Sequence, residues 1–166
     1  MKYDPLDLIV NTVQELSLAK DIQTLMYIVR KAARKSTGAD GVTFVLNEKD
    51  FCYYADEDAI EPLWKGQRFP IHECISGWVM VNRSPAIIKN IYEDSRIPHQ
   101  AYLKTFVKSL AMVPIRTIDP LGAIGAYWSK IYLPSNDEVR ILQAIADVTA
   151  VAFQNIQLSE SAKGKN

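Results

Sequence analysis

Residues 74–115 read CISGWVMVNRSPAIIKNIYEDSRIPHQAYLKTFVKSLAMVPI, and this stretch decides the fold of the chain. It begins with a short helical segment around Gly77 and Trp78, which leads through Pro85 into a small strand. A polar, helix-rich loop follows, and a long apolar strand begins at Ser109. The stretch contains no dense cluster of nucleophile, base and metal ligands, so its composition disfavours a catalytic site.

Amphipathic helices are predicted at both ends of the chain. The second helix begins after Asp21, an N-cap residue, and ends near Gly38, which suits the left-handed position at a helix C-terminus. The last helix begins with a capping box, Ser135 to Glu138. The first and last helices carry narrow apolar seams with spacings of three and four residues: Leu6, Ile9, Val13 and Leu16 in the first, and Leu142, Ile145, Thr149, Ala152 and Ile156 in the last.

Between these helices the apolar period changes to that of β-strands. Two runs at 41–46 and 51–55 flank the sequence Asn-Glu-Lys-Asp and predict a hairpin. A short strand is predicted at 86–88, and two longer strands at 109–116 and 123–128 are joined by the turn sequence Asp-Pro-Leu-Gly. Strands that cluster in sequence favour an antiparallel sheet with helices packed on it, so we predict an α+β fold.

The composition is that of an ordinary globular protein with one substantial core. Hydrophobic residues make up 48% of the 166 residues, and 19 basic residues balance 19 acidic ones. Because the sequence has no excess of basic residues to bind phosphate groups, nucleic acid is disfavoured as a partner. The N-terminus lacks the apolar run of a secretory signal, and no run approaches the roughly twenty residues of a membrane helix. Two cysteines make no disulfide framework, so we expect a cytoplasmic protein without membrane insertion.

Several short motifs occur in the order and spacing of one known domain family. They are Ser76–Val79, Asn82–Ala86, Asn90–Asp94 with Arg96–Pro98, Ser109–Ile115 and Gly122–Gly125. Together they resemble the GAF domain, a small-molecule-sensing module of many bacterial signalling proteins. The resemblance covers residues 20–158 and is most similar to GAF domains of bacterial two-component sensor histidine kinases. Residues 1–166 are therefore interpreted as a single GAF-type domain.

The resemblance implies a central antiparallel sheet with the N- and C-terminal helices on one face. On the other face it implies a ligand pocket, covered by the short helices and loops between Trp78 and Phe106. Ligands across the family include cyclic nucleotides, tetrapyrroles, haem, amino acids and other metabolites, and many members have no known ligand. The implied function is a non-catalytic regulatory module in signal transduction, with an effector such as a histidine kinase domain in cis or in trans.

Seven residues are candidates for contact with a small-molecule ligand. Aromatic side chains suit stacking, Arg96 suits an anionic group, and Cys74 precedes a helix N-terminus, which lowers the pKa of a thiol. The candidates are Cys74, Trp78, Tyr92, Arg96, Tyr102, Phe106 and Tyr127. The alternatives are a packed core for the aromatic residues and Cys74, and an exposed surface position for Arg96. Because side chains alternate along a strand, Tyr127 and Trp128 are predicted to face opposite sides of the sheet.

These residues require no cofactor. Neither a Cys-His pair nor an Asp-x-Cys-Phe motif includes Cys74, which disfavours covalent attachment of a bilin. For His99 there are two interpretations: an axial haem ligand, or a solvated histidine in a polar loop. A zinc site made of Cys52, His72, Cys74 and His99 would lack the paired spacing of structural zinc ligands.

Recognisable catalytic motifs are missing, including a Gly-rich phosphate loop, a Gly-x-Ser-x-Gly elbow and a His-Glu-x-x-His motif. A non-enzymatic sensor is therefore the first interpretation, and two alternatives stay open. One is a GAF-fold thiol enzyme such as a free methionine sulfoxide reductase, although that class uses several cysteines and this chain has two. The other is a dimerisation scaffold with a filled core and no ligand.

A homodimer is predicted because the narrow seams of the first and last helices suit packing against partner helices. Residues 1–19 are expected in this contact, with residues 20–158 forming the core and the polar segment 159–166 fraying. The expected interface residues are Leu6, Ile9, Val13, Leu16, Leu142, Thr149, Ala152 and Ile156. The alternative is that both helices only cover their own sheet. The chain is expected to be either one domain of a larger sensor or a protein that acts in trans.

Overall fold

A computed structural model describes residues 3–164 of the chain. Its helices are α1 (Pro5–Leu18), α2 (Ile22–Thr37), α3 (Ile75–Asn82), α4 (His99–Tyr102) and α5 (Asn136–Lys163). Its strands are β1 (Gly41–Glu48), β2 (Phe51–Ala59), β3 (Arg68–Pro70), β4 (Ala86–Ile88), β5 (Ser109–Pro114) and β6 (Gly122–Trp128). Short 3₁₀ turns occupy Ile71–Glu73 and Ile91–Glu93.

The six strands form one antiparallel sheet in the order β3-β2-β1-β6-β5-β4. β1 and β2 form the predicted hairpin, and β6 returns along the other side of β1, where Thr43 lies opposite Gly125. β5 pairs with β6, and the short β4 forms one edge of the sheet. The predicted α+β fold with a central antiparallel sheet is confirmed.

One irregularity in the β1–β2 pairing decides where the side chains of β2 point. The register shifts between Phe44 and Val45, where Ala55 of β2 is the extra residue. As a result Tyr54 belongs to the core on one face of the sheet. Asp56, two residues later, forms an ion pair with an arginine of α2 on the other face.

Side chains on the two faces of the sheet belong to two separate apolar cores. The helix-side core lies between the sheet and α1, α2 and α5, and it includes Trp128 and Leu142. The cover-side core lies between the sheet and residues 71–107, which we call the cover, and it includes Tyr102 and Tyr127. Tyr127 and Trp128 thus face opposite sides of the sheet, as predicted.

The predicted helix ends are confirmed at three caps. The Asp21 side chain accepts a hydrogen bond from the backbone N–H of Thr24 and begins α2. Gly38 ends that helix with a φ of 63°, a conformation that glycine adopts at little cost. Ser135 and Glu138 form the reciprocal capping box at the start of α5.

Parts of the chain differ from the sequence prediction. β3 has no counterpart in it, since a three-residue strand that ends in Pro70 carries no alternating pattern. Helix α5 continues to Lys163, so the segment predicted to fray from Ser159 is helical up to that residue. Residues 1–2 of the predicted dimer segment and residues 165–166 of the predicted frayed tail lie outside the described residues. None of the described helices is both long and apolar enough to cross a bilayer.

Candidate functional site

Five aromatic rings fill the space beneath the cover. We call them the aromatic cluster, and its members are Tyr54 of β2, Trp64 of the β2–β3 loop, Phe69 of β3, Tyr102 of α4 and Tyr127 of β6. The Trp64 ring is central, with its centroid 4.7 Å from that of Tyr102 and 5.4 Å from that of Tyr127. A third contact, at 5.6 Å and nearly edge-on, joins it to Tyr54. Such tilted and edge-to-face pairs stabilise one another beyond their burial alone.

Tyr127 lies against the sheet because the preceding residue on the same face of β6, Gly125, has no side chain. A Cβ at Gly125 would be 2.5 Å from the Tyr127 hydroxyl, so a larger residue there would displace the ring. The hydroxyl lies 2.9 Å from the Thr43 hydroxyl on the neighbouring strand. Burial raises the pKa of Tyr127 above its usual value, so the phenol stays neutral and hydrogen-bonded.

A second chain of polar groups connects β2 to the start of α3. The Tyr54 hydroxyl lies 3.0 Å from the hydroxyl of Ser76, which donates in turn to the sulfur of Cys74 at 3.3 Å. This turn of the chain requires glycine at position 77, because a Cβ on Gly77 would overlap the carbonyl oxygen of Ile71. The Gly-Trp motif of the sequence therefore places Cys74 and Ser76 against the sheet.

The two cysteines interact with each other inside the cover-side core. A hydrogen bond from the Cys52 thiol, together with bonds from Ser76 and the backbone N–H of Gly77, lowers the pKa of Cys74 to about 7. Burial of Cys74 opposes this effect but does not cancel it. The same contact with Cys74 raises the pKa of Cys52 above its usual value. Near neutral pH the pair thus loses one proton from Cys74 and keeps the other on Cys52.

Tyr102 has a buried hydroxyl without a hydrogen-bond partner among residues 3–164. The residue is 2% exposed and its ring packs against Trp64. Burial raises the pKa of Tyr102 well above its usual value, so the hydroxyl is neutral and able both to donate and to accept. An unpaired buried hydroxyl costs about 1–3 kcal/mol, so an incoming polar atom would be bound favourably here.

Glu57 of β2 holds Trp64 in place. Its two carboxylate oxygens accept hydrogen bonds of 2.8–2.9 Å from three consecutive backbone N–H groups, those of residues 63–65. These residues belong to the segment 60–67, which we call the Trp64 loop. The indole N–H of Trp64 donates to the carbonyl of Ala101 at 3.0 Å, which ties the loop to the cover.

Two predicted ligand residues lie instead on the outer side of the cover. The guanidinium of Arg96 is 4.3 Å from the ring centre of Trp78 and 2.7 Å from the carboxylate of Asp94. Trp78 and Arg96 line a surface cavity of about 300 Å³, which we call the outer cavity and which also reaches Cys74. Tyr92 is 51% exposed, and its ring centre lies 6.2 Å from that of His99.

The seven predicted ligand residues therefore separate into groups. Tyr102 and Tyr127 meet around Trp64, and Cys74 lies in the same core beside Ser76. Phe106 packs at the edge of this core, with the tip of its ring close to the backbone of Gly41. Trp78 packs against the same core from the side of the outer cavity, with Arg96 over its ring, and Tyr92 is exposed.

Sequence reasoning missed several residues of this site, among them Tyr54, Glu57, Trp64, Phe69 and Ser76. Tyr54 follows Cys52 by two positions on a predicted strand, so the alternation of that strand was a usable signal. Ser76 was noted only as part of the Gly-Trp motif. Trp64 and Glu57 carry no local signal, because their roles depend on a loop folding back onto a strand.

Metal ligation finds no support in the geometry. Among residues 3–164 no group of three or more His, Cys, Asp or Glu side chains is placed to hold a metal ion. His99 lies with its Nε2 atom 3.2 Å from the Ile91 carbonyl oxygen, and His72 is exposed.

The predicted dimer residues divide into a buried group and an exposed group. Leu142 and Thr149 have no exposed surface, and Leu16, Ala152 and Ile156 are nearly as buried, so these five residues pack within the protomer. This burial corrects the expectation that Leu142 and Thr149 contact a partner. Leu16 and Ala152, although mostly buried, line the groove between α1 and α5. Leu6 and Val13 are exposed and Ile9 partly so, and these three remain free to contact another molecule.

Other apolar side chains are exposed on the same two helices. Val151 and Leu158 of α5 are 62% and 69% exposed. Val13, Val148 and Val151 line a groove of about 230 Å³ between α1 and α5. We call the exposed apolar residues of α1 and α5 the outer helix face.

Comparison with known proteins agrees with this architecture. The sequence model of the GAF domain matches residues 19–154. The chain therefore belongs to the GAF domain family. No match was found among proteins of curated function.

Solved structures with the same fold include GAF domains and a GAF-fold enzyme. The GAF domain of a phosphoenolpyruvate-protein phosphotransferase from Acinetobacter is similar at a TM-score of 0.80 and 14% identity, over 99% of both chains. Free methionine-R-sulfoxide reductase from Neisseria meningitidis, in complex with its substrate, is similar at 0.79 and 13%, over 93% of this chain and 91% of that one. The GAF-B domain of DevS from Mycobacterium smegmatis is similar at 0.67 and 19%, over 88% and 100%. At these identities the similarity establishes the fold alone.

Proposed function

We propose that this GAF domain is a regulatory module that binds an uncharged small molecule beneath its cover and has no chemistry of its own. One observation carries the proposal: the buried Tyr102 hydroxyl lacks a partner among the described residues and lies in the aromatic cluster. A bound molecule with one polar atom would satisfy this hydroxyl while stacking on the surrounding rings.

The chemistry of the core supports an uncharged ligand. Buried polar side chains on the cover side are neutral hydroxyls, those of Thr43 and Ser76. The one charged side chain among the buried residues described, Asp56, faces α2 instead. Because the charge that develops in this core near neutral pH is that of the Cys74 thiolate, an anionic ligand would be buried without a counter-charge, which costs several kcal/mol. A flat, neutral aromatic molecule with a hydrogen-bonding edge fits these groups.

Binding must move Trp64, because its indole occupies the centre of the cluster. The ligand would replace the indole against Tyr102, and the Trp64 loop would leave its position on Glu57. The module then has two states, one with Trp64 inside and one with the ligand inside. A ligand shifts the balance only by its difference in affinity for these states.

β2 connects this loop to the helices on the other face of the sheet. Glu57 holds the Trp64 loop, and its neighbours Asp56 and Asp58 form ion pairs with Arg30 and Arg34 of α2, at 3.0 and 2.7 Å. A change at the loop therefore reaches α2 through adjacent residues of one strand.

The output we propose is a change in packing between two copies of the domain. The outer helix face exposes Leu6, Val13, Val151 and Leu158, which suit a helical homodimer in which like helices lie side by side. The proposed effector is a signalling domain such as a histidine kinase, in cis or in trans. The proposed setting is the cytoplasm.

Ligand binding is tested by screening uncharged aromatic metabolites for a change in tryptophan emission and in melting temperature. Because one hydrogen bond is lost, Tyr102→Phe should weaken the binding of a hit about tenfold. Tyr92→Phe, an exposed tyrosine outside the cluster, is the matched control and should bind normally. Trp64→Phe should abolish most of the emission change. Equal affinity in the Tyr102 and Tyr92 variants would contradict the proposal.

The dimer is tested separately by sedimentation velocity. Wild type should sediment as a dimer at high micromolar concentration. Val13→Glu and Val151→Glu, which place a charge on the outer helix face, should sediment as monomers. The control Gln14→Glu adds a charge to a neighbouring position of α1 and should leave the dimer intact. A monomeric wild type would refute this part of the proposal.

A thiol enzyme is the second candidate, favoured by the lowered pKa of Cys74. Turnover of free methionine sulfoxide with a thiol reductant, lost in Cys74→Ser, would establish it. Wild-type protein without such turnover would leave the sensor as the function.

A further inference from the structure

We propose that Cys52 and Cys74 form a reversible disulfide when a small hydroperoxide oxidises Cys74. The cover-side core would then contain a peroxide-responsive thiol pair that links β2 to the start of α3. The inference goes beyond ligand binding and does not depend on it. The thiols carry it, and neither Trp64 nor Tyr102 takes part.

The two cysteines lie on neighbouring elements within one core. Cys52 lies on β2 and Cys74 is the residue before α3, and both belong to the cover-side core. The sulfur of Cys74 lies 3.5 Å from the carbonyl oxygen of Pro70 at the end of β3. Cys52 pairs with Phe69, the residue before Pro70 on the same strand. This placement sets the two thiols side by side, and their interaction lowers the pKa of Cys74 and raises that of Cys52. Both cysteines are free thiols in this structure. A disulfide between them would join β2 to the residue before α3 within one core.

Solvent access differs between the two thiols. Cys74 lines the outer cavity of about 300 Å³, together with Gly77 and Trp78. Cys52 has no exposed surface. A small hydroperoxide in the cavity would therefore meet Cys74 first, and Cys52 would react only with a modified Cys74. This order distinguishes an attacking thiol from a resolving thiol.

The groups around Cys74 favour its reactive form. The thiol of Cys52, the hydroxyl of Ser76 and the N–H of Gly77 stabilise the thiolate, whereas burial and Glu73 oppose it. The carbonyl of Pro70, 3.5 Å from the sulfur, favours the protonated thiol. The net result is a pKa of about 7, so a large fraction of Cys74 is thiolate at neutral pH.

The reaction uses one hydroperoxide for two thiols. The Cys74 thiolate attacks the outer peroxide oxygen, an S–O bond forms, the O–O bond breaks, and the alkoxide or hydroxide that leaves takes up a proton. The sulfur of Cys52 then attacks the Cys74 sulfenic acid. An S–S bond forms, the S–O bond breaks, and the departing hydroxide combines with the Cys52 proton to give water. Two electrons pass from the thiols to the peroxide.

The proposal is tested by treating reduced, purified protein with hydrogen peroxide and mapping peptides without reduction. The two free thiols of the chain should fall to none, with Cys52 and Cys74 joined within one molecule. Dithiothreitol should restore both thiols. Two thiols that stay free, a disulfide between two molecules, or a Cys74 sulfinic acid beside a free Cys52 would each overturn the proposal. Methionine sulfoxide is not added, so this result is independent of the enzymatic alternative.

Variants separate the two roles. Cys52→Ala should stop the reaction at the sulfenic acid, which dimedone traps on Cys74. Cys74→Ala should leave Cys52 unoxidised under the same conditions. Ser76→Ala, which removes a donor to the thiolate, should react about fivefold more slowly at pH 7, the effect of one pKa unit. Ser95→Ala, which alters the same cavity without touching the sulfur, should react at the wild-type rate. Oxidation of Cys52 in the Cys74 variant would overturn the assigned order.

Discussion

The helix-side and cover-side cores lie on the same sheet and have different chemistry. On the helix side, the buried Thr12 and Thr149 donate to carbonyls of their own helices, and aliphatic side chains such as Leu142 fill the rest. On the cover side, aromatic rings, two thiols and an unpaired Tyr102 hydroxyl occupy the equivalent position. Within the described part of the chain, an unpaired buried oxygen, Oε1 of Gln143, also occurs on the helix side. The comparison teaches that the aromatic rings and thiols of the cover side, more than burial or an unpaired polar atom, distinguish a site from a scaffold.

The largest expected effect is on the helix side. Leu142→Ala should lower the free energy of unfolding by about 3 kcal/mol, because it leaves a cavity in a fully buried position. Denaturant unfolding measures this loss. Leu158→Ala, on the exposed side of the same helix, should change it by less than about 0.5 kcal/mol. Equal losses in the two variants would contradict the assignment of Leu142 to the protomer core.

A smaller loss is expected where the Trp64 loop meets the sheet. Glu57→Gln should destabilise the protein by about 1–2 kcal/mol, because an amide NH₂ would replace one of the oxygens that accept backbone N–H groups. Unfolding and tryptophan emission should both change, since Trp64 loses its support. The control Asp58→Asn weakens a partly exposed ion pair and should cost less than about 1 kcal/mol. Unchanged emission in Glu57→Gln would argue that Glu57 does not position Trp64.

The rate of Cys74 alkylation should depend on pH in the folded protein. Because its pKa is lowered to about 7, the thiolate fraction and the rate with iodoacetamide should rise through that pH. The expected increase between pH 6 and pH 8 is about tenfold. Unfolded protein should instead follow the ordinary thiol value of about 8.5. The same midpoint in folded and unfolded protein would show that the groups around Cys74 in the cover-side core do not lower its pKa.

The smallest expected effect has the opposite sign. Tyr102→Phe removes a buried hydroxyl without a partner, so it should raise the free energy of unfolding by about 1 kcal/mol. Tyr127→Phe is the matched control, because it removes a hydroxyl that is bonded to Thr43 and should destabilise. Thermal and denaturant unfolding measure both changes. A loss of stability in Tyr102→Phe would show that its hydroxyl is already satisfied.

Local signals in the sequence predicted the frame of the fold. Asp21, Gly38 and the capping box at Ser135 set helix ends through contacts within four residues, which a sequence displays directly. The alternation in β6 assigned Tyr127 and Trp128 to opposite faces for the same reason. The assignment of Leu142 to a dimer failed because a narrow apolar seam looks the same whether it meets a partner or its own sheet.

Of the candidate site, the sequence predicted mainly residues on elements with a visible pattern. Tyr102 and Tyr127 were found because each lies on an element with a visible pattern. Trp64 was missed because its burial depends on Glu57 capturing the N–H groups of a loop, a contact between residues without any shared periodicity. The pairing of Cys52 with Cys74 was missed in the same way, since it joins a strand to a helix start through space.

The position of Trp64 has a consequence for sensitivity. A molecule that must displace the indole binds with an apparent affinity reduced by the small fraction of protein in which the indole is already out. The strength of the Glu57 contacts would therefore set the threshold concentration of the response. Substitutions at Glu57 would tune that threshold without altering the Tyr102 hydroxyl that recognises the molecule.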